Sequence, residues 1–567
     1  MKILGICDSQ DAGAVLLATE SNELTAVNEE RISRVKLAGG FPLGSIKEVL
    51  RLKNTKPEEV GLVAVASHMT PSFIFRGLSL LHRKLKQENK QFSLLLSLYI
   101  LYQVIAKCSI LLEFIDSRLS SLIIQRKLKK IGIKADLCMV EHHHAHAFAA
   151  YVTSGMEKSL VFTIDGLGDG VSFSVNIGEN GSLRRIYEGK ALNDITLYYS
   201  RLTEFLGFTP IRDEGKVMGL AAYSDDQSVL NEAQKLLRSH NGRFKRRNIF
   251  YSFSKDKKIF QKLRLKPRED IAASFQTHAE NTICDIVRYW VNRTGIREVA
   301  LGGGFFANIK VNQRIAQMNE VSSVYVYPHM GDGGLALGAV YALSKTQPFK
   351  FKDLFLGTAY SDEQIQKILN KYGLQYKRIN NIEQKIAFLL SEGKIVARFN
   401  GAMEYGPRAL GNRSILAQAT DPGIQEQLNK KLGRDTFMPF APAMLIENKN
   451  DCCVGAAKAS YSAVFMNISF PCTDYFKKLC PAAVHRDGTT RPQFVSMESN
   501  LGFYKILSEY NELTGIPALI NTSFNIHEEP IVRTPEDAVH AFKTGNLDYL
   551  AINNFLLKGG SNEKGKA

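Results

Sequence analysis

Glu141-His142-His143-His144-Ala145-His146 is the densest chemistry in the chain, with four of its twelve histidines inside five positions. On a helix, His142 and His146 stand one turn apart on one face. From that spacing two imidazoles can hold one divalent transition metal; the competing reading is a surface or helix-capping histidine cluster. Nineteen residues beyond His146 comes Asp165-Gly166-Leu167-Gly168-Asp169-Gly170, directly after a strand-like run. Two carboxylates among glycines at a strand end suit a metal or a nucleotide phosphate, because backbone N–H groups can approach an anion closely. The same string also reads as an ordinary β-turn. Gly302-Gly303-Gly304-Phe305-Phe306-Ala307-Asn308 and Pro328-His329-Met330-Gly331-Asp332-Gly333-Gly334 add two more glycine-rich turns, each after a strand-like run. Each is weak alone, and together with the histidine pair they predict a domain that binds a nucleotide and a metal.

The second half carries a different chemistry. Glu404-Tyr405-Gly406-Pro407-Arg408-Ala409-Leu410-Gly411-Asn412-Arg413-Ser414 sets two arginines five residues apart beside glycine and serine. Arg434 and Arg491 add cations, and Asn521-Thr522-Ser523-Phe524-Asn525 offers hydroxyl and amide groups. Guanidinium presents paired donors to phosphate and carboxylate. Singly, each arginine reads as a surface ion-pair partner; as a set they suit an anion site.

The elements that must position these groups alternate strand and helix. Met1–Ile6, Leu62–Val65, Leu160–Ile164, Glu298–Leu301 and Val324–Tyr327 read as strands, and Ile271–Val291 and Leu335–Ser344 as helices. That alternation predicts an α/β architecture. A seam is expected near Thr346-Gln347-Pro348, dividing a domain over 1–346 from one over 357–567. In the second, Ile382–Leu390 reads as a helix, and Lys394–Arg398 and Ala518–Ile520 as strands. No internal repeat is evident. At 567 residues the chain exceeds one ordinary core, and 45% apolar with 23% charged residues is a normal globular composition. Eight scattered cysteines form no C-x-x-C pair, which disfavours a cysteine-built zinc site and fits a reducing compartment. Asp8 and Asp11 stand where a secretory apolar stretch would continue, so a cytoplasmic location is expected.

The net charge is +16, from 72 basic and 56 acidic residues. Much of the excess lies in a helical insertion over about 76–130, including Arg83-Lys84-Leu85-Lys86 and Arg126-Lys127-Leu128-Lys129-Lys130. Its apolar run from Leu94 to Tyr102 falls short of a span, because Gln103, Lys107 and Glu113 follow. The insertion reads as a solvated or interfacial helical element, with a weak membrane contact as the competing expectation.

The order of D-S-x-D-A-G-A near residue 8, E-E-R-x-S-R-x-K near residue 29, HHxAH, DGxGD, K-x-M-G-L-A, G-G-G-x-x-x-N and G-D-G-G resembles the carbamoyltransferases of the nodulation, aminoglycoside and cephamycin type. The resemblance covers nearly the whole chain. It implies an actin-like ATPase fold, similar to the kinase-associated endopeptidase of tRNA modification, for the first domain, and a YrdC-like α/β fold for the second. It further implies Fe2+ or another divalent transition metal on His142, His146, Asp165 and Asp332, with ATP and Mg2+ as further cofactors. His142 and His146 thereby become catalytic residues. Asp213, in Asp213-Glu214-Gly215-Lys216-Val217-Met218-Gly219-Leu220-Ala221, is the carboxylate expected to take a proton from the attacking hydroxyl, ahead of Glu214; a loop salt bridge is the alternative. Lys36, Asp169, Gly303, Gly304, Asn308, Gly333 and Gly334 are the implied nucleotide contacts of the first domain. Arg408, Arg413, Arg434, Arg491 and Ser523 are those of the second.

Two positions depart from the family pattern. Gln10 stands where a histidine is common, and glutamine cannot act as a base near neutrality. Leu432 stands where many members have lysine, with Lys431 beside it.

The resemblance implies an ATP-dependent O-carbamoyltransferase. Carbamoyl phosphate and ATP give carbamoyladenylate, and the carbamoyl group passes to a hydroxyl of a sugar or natural-product acceptor. So labile an anhydride predicts an internal channel or tight domain docking. No nucleic-acid partner is expected, and a homo-oligomer is compatible with the sequence. The rival readings are a tRNA threonylcarbamoyladenosine-type modifying enzyme and a non-catalytic actin-like nucleotide sensor.

Overall fold

The computed structural model describes residues 1–77, 101–103, 105–190, 194–246, 259–433 and 440–560. Arg434, Arg83-Lys84-Leu85-Lys86 and the stretch from Leu94 to Ile100 lie outside the described residues. The chain divides into two compact units, Met1–Glu29 with Leu37–Lys350, and Glu30–Lys36 with Phe351–Ala567. The break after Lys350 falls within the stretch from Thr346 to Phe351. The assignment of Glu30–Lys36 to the second unit is a feature that no linear division of the sequence anticipates.

The first unit contains two five-stranded sheets. In one, β1 (Lys2–Cys7), β2 (Gly13–Ala18) and β3 (Glu23–Asn28) form an antiparallel meander. β4 (Val60–Ala66) pairs parallel to β1, and β5 (Asp136–Val140) parallel to β4. In the other, β6 (Lys158–Gly168), β7 (Val171–Glu179) and β8 (Ser182–Lys190) form the meander. β9 (Glu298–Gly302) and β10 (Ser323–Val326) then add in parallel on the far side of β6. The orders β3-β2-β1-β4-β5 and β8-β7-β6-β9-β10 are the same. This is the duplicated arrangement of the actin-like ATPase fold. A repeat invisible in the residues is therefore present in the topology, because burial on both faces asks only for apolar side chains and not for particular ones. Strands β1 and β6 show the reason: five of the six residues of β1 are buried, and Ser159–Ile164 of β6 are buried without a break.

Five helices of this unit matter below. They are α1 (Ile110–Lys129), α2 (His142–Val152), α3 (Ile195–Phe205), α4 (Glu214–Ala221) and α5 (Leu335–Ser344). Among the described residues no helix is long and apolar enough to cross a membrane.

The second unit is built on one mixed eight-stranded sheet. Its strands in chain order are β11 (Lys377–Arg378), β12 (Val396–Phe399), β13 (Arg413–Gln418), β14 (Ala441–Leu445), β15 (Gln493–Val495), β16 (Ala518–Ser523), β17 (Tyr549–Ile552) and β18 (Phe555–Lys558). Their order across the sheet is β11-β18-β17-β12-β13-β16-β14-β15. Ile386, Leu390, Phe503, Ile506 and Leu507 from two helices bury one face together with Val396, Leu416 and Leu519. The scattered cysteines are free thiols. Cys453 and Cys472 face each other across an isolated antiparallel bridge.

Candidate active site

Helix α2 begins where Glu141 caps it, accepting from the His143 and His144 amides at 3.1 and 2.7 Å. Burial would raise the Glu141 pKa, but Arg185, 2.5 Å away, overrides this and brings it to about 2. The helical period then sets His142 and His146 on one buried face, ring centroids 4.8 Å apart. Asp165 reaches them because the β6–β7 ladder breaks between Ile164 and Gly168, leaving residues 165–167 unpaired at a bulge. Asp332 arrives from the turn preceding α5.

The four ligand atoms lie within 4.8 Å of one another. Asp165 Oδ2 is 3.1 Å from His142 Nε2 and 2.9 Å from His146 Nε2. Asp332 Oδ1 is 3.6 and 3.8 Å from the same two nitrogens.

The outer atoms of three of these ligands are held. His142 Nδ1 meets Ser67 Oγ at 2.8 Å, the Gly304 amide donates to Asp165 Oδ1 at 3.2 Å, and the Ser9 hydroxyl donates to Asp332 Oδ2 at 2.8 Å. That leaves two Nε2 atoms and two carboxylate oxygens facing one point. Two imidazoles and two carboxylates with oriented outer partners are the donor set of a divalent transition metal.

Electrostatics agree with the geometry. Burial alone would lower the His142 pKa, but Asp332 and Asp165 outweigh it and raise it to about 9. Burial would likewise raise Asp165, but hydrogen bonds from His142 and His146 hold it well below the usual carboxylate range. The site is thus an imidazolium–carboxylate cluster, and a cation entering it would displace protons. His143 belongs elsewhere. Its Nε2 donates to Val171 O at 3.0 Å, Nδ1 meets Thr163 Oγ1 at 2.7 Å, and burial drives its pKa down to about 3. It is a neutral core histidine inside the motif.

Gly168 is fixed by the neighbouring ring. A Cβ there would sit 2.1 Å from His142 Cδ2. Asp169, expected at a nucleotide phosphate, is instead fully buried and accepts from the amides of His68, Met69 and His142 at 2.8–2.9 Å. It fastens the start of α2 to the loop that carries Ser67. Arg76 fastens the same loop from below, donating to Ser67 O and His68 O and pairing in bidentate fashion with Asp8.

Of the other glycines expected at a nucleotide, Gly303 adopts φ +97°, a region where a side chain is strained, and donates to Met330 O. Gly333 O accepts from Asn28 Nδ2 at 3.1 Å, and the Gly334 amide donates to Gly331 O at 3.0 Å. Asn308 caps the following helix and exchanges hydrogen bonds with Gln276, which also accepts from Tyr199 OH at 2.6 Å.

Asp213 stands at the start of α4, 3.3 Å from Lys216 Nζ, and accepts from the Thr209 amide at 3.1 Å. Glu214 is also largely buried: burial raises its pKa, and Ser200 Oγ and the Ile211 amide donate to its Oε1.

In the second unit the arginines of the long motif separate. Arg413 is fully buried, donates to the carbonyls of Asn400, Asn412, Thr358 and Gly401 at 2.7–3.2 Å, and lies 3.6 Å over the Phe399 ring. Its guanidinium holds the loop together. Glu404 does the complementary job, with Oε1 accepting from the amides of Leu410, Asn412 and Arg413, each at 2.9 Å.

Arg408 and Arg491 are different. Burial lowers the Arg408 pKa to about 10, and burial plus the neighbouring Arg408 charge lowers that of Arg491 well below its usual value. Among the described residues no carboxylate charge acts on either, and Arg408 Nε is buried without a hydrogen-bond partner. Two half-buried guanidinium groups beside each other have the chemistry to take an anion between them. Its walls are fastened by Gln493 Nε2 to Leu410 O, by Asn521 Nδ2 to Ala409 O, and by Arg31 Nη2 to Gly406 O. Ser523 donates to Asn525 Oδ1 at 2.5 Å. Lys36 is exposed at the end of the segment Glu30–Lys36, which belongs to this unit rather than to the first. Leu432 is a core residue, and Lys431 Nζ donates to Asn546 O.

The comparisons bear on both halves. The family model for the carbamoyltransferase N-terminus matches residues 2–341, and that for the carbamoyltransferase C-terminus matches residues 387–559. The chain belongs to the carbamoyltransferase family. Among its relatives, uncharacterized protein MJ1058 of Methanocaldococcus jannaschii is 32% identical over 98% of this chain and 99% of its own. Nodulation protein NolNO of Sinorhizobium fredii is 28% identical over 96% of this chain and 78% of its own. Nodulation protein NolO of Bradyrhizobium diazoefficiens is 30% identical over 74% and 79%.

In this carbamoyltransferase, sequence reasoning missed Ser9, Ser67 and Arg76 around the cluster, and Glu404 and Gln493 around the arginine pair. Ser9 lies inside a motif that was given no ligand-orienting role, and Ser67, a lone serine after a strand, carries no local signal. Glu404, six residues before Leu410 and nine before Arg413, had the spacing of a loop-closing acceptor and was readable as such.

Proposed function

We propose that this carbamoyltransferase makes carbamoyladenylate from carbamoyl phosphate and ATP in its second unit, and passes the carbamoyl group to a hydroxyl of a sugar or natural-product acceptor in its first. The single observation that carries the reading is the convergence of His142, His146, Asp165 and Asp332, from three separate stretches of chain, on one point. A divalent transition metal bound there supplies Lewis-acid polarisation of a carbonyl. Every other task falls to side chains.

Arg408 and Arg491 bind the phosphate groups and screen their charge. Loss of phosphate from carbamoyl phosphate, with uptake of water, leaves carbamate. A carbamate oxygen then attacks the ATP α-phosphorus, the bond to the β-phosphate oxygen breaks, and pyrophosphate leaves. Partial shielding of the pair matters because water competes for both the carbamate and the mixed anhydride. In the transfer step the acceptor hydroxyl attacks the carbamoyl carbon and AMP is the leaving group. Asp213 is the carboxylate proposed to take the hydroxyl proton.

The test is twofold. Carbamoyl-phosphate-dependent exchange of label between pyrophosphate and ATP is expected, along with mass-spectrometric detection of a carbamoyl ester when hydroxylated acceptors are supplied. Ester formation at an undiminished rate by the His142→Ala/His146→Ala double variant would refute the role given to the cluster. Absence of exchange in the wild type would refute the adenylate.

A further inference from the structure

Helix α1 is built inside out. Its buried positions, Asp116, Ser120, Ile124 and Leu128, recur every four residues along one face, and the first two are polar. Asp116 is the hub there, accepting from the Phe73 amide at 2.9 Å, Ser120 Oγ at 3.0 Å and Tyr102 OH at 2.5 Å. The opposite face is the apolar one. Leu111, Phe114, Ile115, Leu119 and Leu122 follow at helical spacing and are 67, 56, 41, 37 and 50% exposed. A helix of a water-soluble core orients these residues the other way. An exposed apolar stripe of this size marks a surface made to be covered.

The charges beside the stripe say by what. Arg118 lies within it, 5.2 Å over the Phe114 ring, and Arg126, Lys129 and Lys130 are exposed at its carboxy-terminal end. Glu113 is turned off this face, toward His68 and Lys107. Lys127 is tied to Arg76 O and points inward. Among the described residues the face is thus apolar and positive with no acid on it. A second copy meeting it about a twofold axis would bring like charges together, whereas an anionic lipid surface meets both features at once.

We propose that α1 is a peripheral membrane-docking helix. It lays Leu111, Phe114, Ile115, Leu119 and Leu122 into the boundary between headgroups and acyl chains of an anionic bilayer, with Arg118, Arg126, Lys129 and Lys130 at the lipid phosphates. With Asp116, Arg118, Arg126, Lys127 and Lys129 in its 20 residues it is too polar to cross a bilayer, so it lies along the surface.

The test is flotation of the full-length protein with phosphatidylcholine vesicles, with and without phosphatidylglycerol, at low and high salt. Two triple variants accompany it, Leu111→Ser/Phe114→Ser/Leu122→Ser and Arg126→Gln/Lys129→Gln/Lys130→Gln. All six positions are exposed, and an unchanged thermal midpoint shows that the fold is retained. The wild type is expected to float only with anionic vesicles and to be released by high salt. The basic triple is expected to lose partitioning on the order of a hundredfold, and the apolar triple to stay at the bottom. Wild-type protein that ignores anionic vesicles, or floats equally with neutral ones, overturns the proposal. So does a dimer by light scattering that the apolar triple dissolves, since a second copy would then cover the face.

Discussion

Replacing Ser67 by alanine isolates what an outer hydrogen bond contributes to the cluster. Ser67 Oγ lies 2.8 Å from His142 Nδ1 in a fully buried setting. By accepting from Nδ1–H it keeps the Nε2 lone pair facing Asp165 and Asp332. Alanine leaves the rest of the loop as it is, because the Ser67 amide donates to Val140 O and Ser67 O accepts from Arg76, and both are backbone groups. The residue sits at φ +76°, a strain that serine and alanine share. The cost to folding should therefore be close to one hydrogen bond, about 1 kcal/mol. The cost to metal affinity should be larger, about 10- to 100-fold, as for outer-shell partners of metal-bound histidines. Competition for Co2+ against a chromophoric chelator, in wild type and variant, measures it, with chemical denaturation as the control. A loss below about threefold, with stability retained, would refute the assignment of Ser67 as the residue that orients His142.

Five further outcomes are expected. Gly168→Ala should impair metal binding at least as much as Ser67→Ala, because the new methyl group occupies the His142 ring position; the same chelator competition reads it. Calorimetry in buffers of differing ionisation enthalpy should show proton release on metal binding at pH 7, since the His142 pKa is raised to about 9 and a metal needs its lone pair. The same shift means that the metal-free protein holds this stabilisation in full below the ordinary histidine pKa and loses it as pH rises through about 9, seen as a falling thermal midpoint. In the arginine motif, Arg413→Met should cost about 3 kcal/mol or more in urea titrations, because four backbone carbonyls lose their donor. Arg491→Gln should leave the midpoint unchanged or higher, by removing one of two facing cations, while pyrophosphate exchange falls about 10- to 100-fold.

The residues alone settled what depends on short range. The four-residue step from His142 to His146 is a property of any α-helix, so one face and one turn were readable from spacing. The strands at Val60–Ala66, Lys158–Gly168 and Glu298–Gly302 announced themselves as apolar runs, because strands buried on both faces have no other pattern available. Folding had to decide what converges through space. Asp165 and Asp332 meet the histidines because the strand order places the ends of β6 and of the β10 turn beside α2, and no local rule encodes strand order. Ser9 and Ser67 gained their roles the same way. Arg408 and Arg413 share one motif and the same chemistry. Only the surrounding carbonyls make Arg413 a clamp, and among the described residues Arg408 has no such set, since a guanidinium's task is fixed by the partners the fold brings to it.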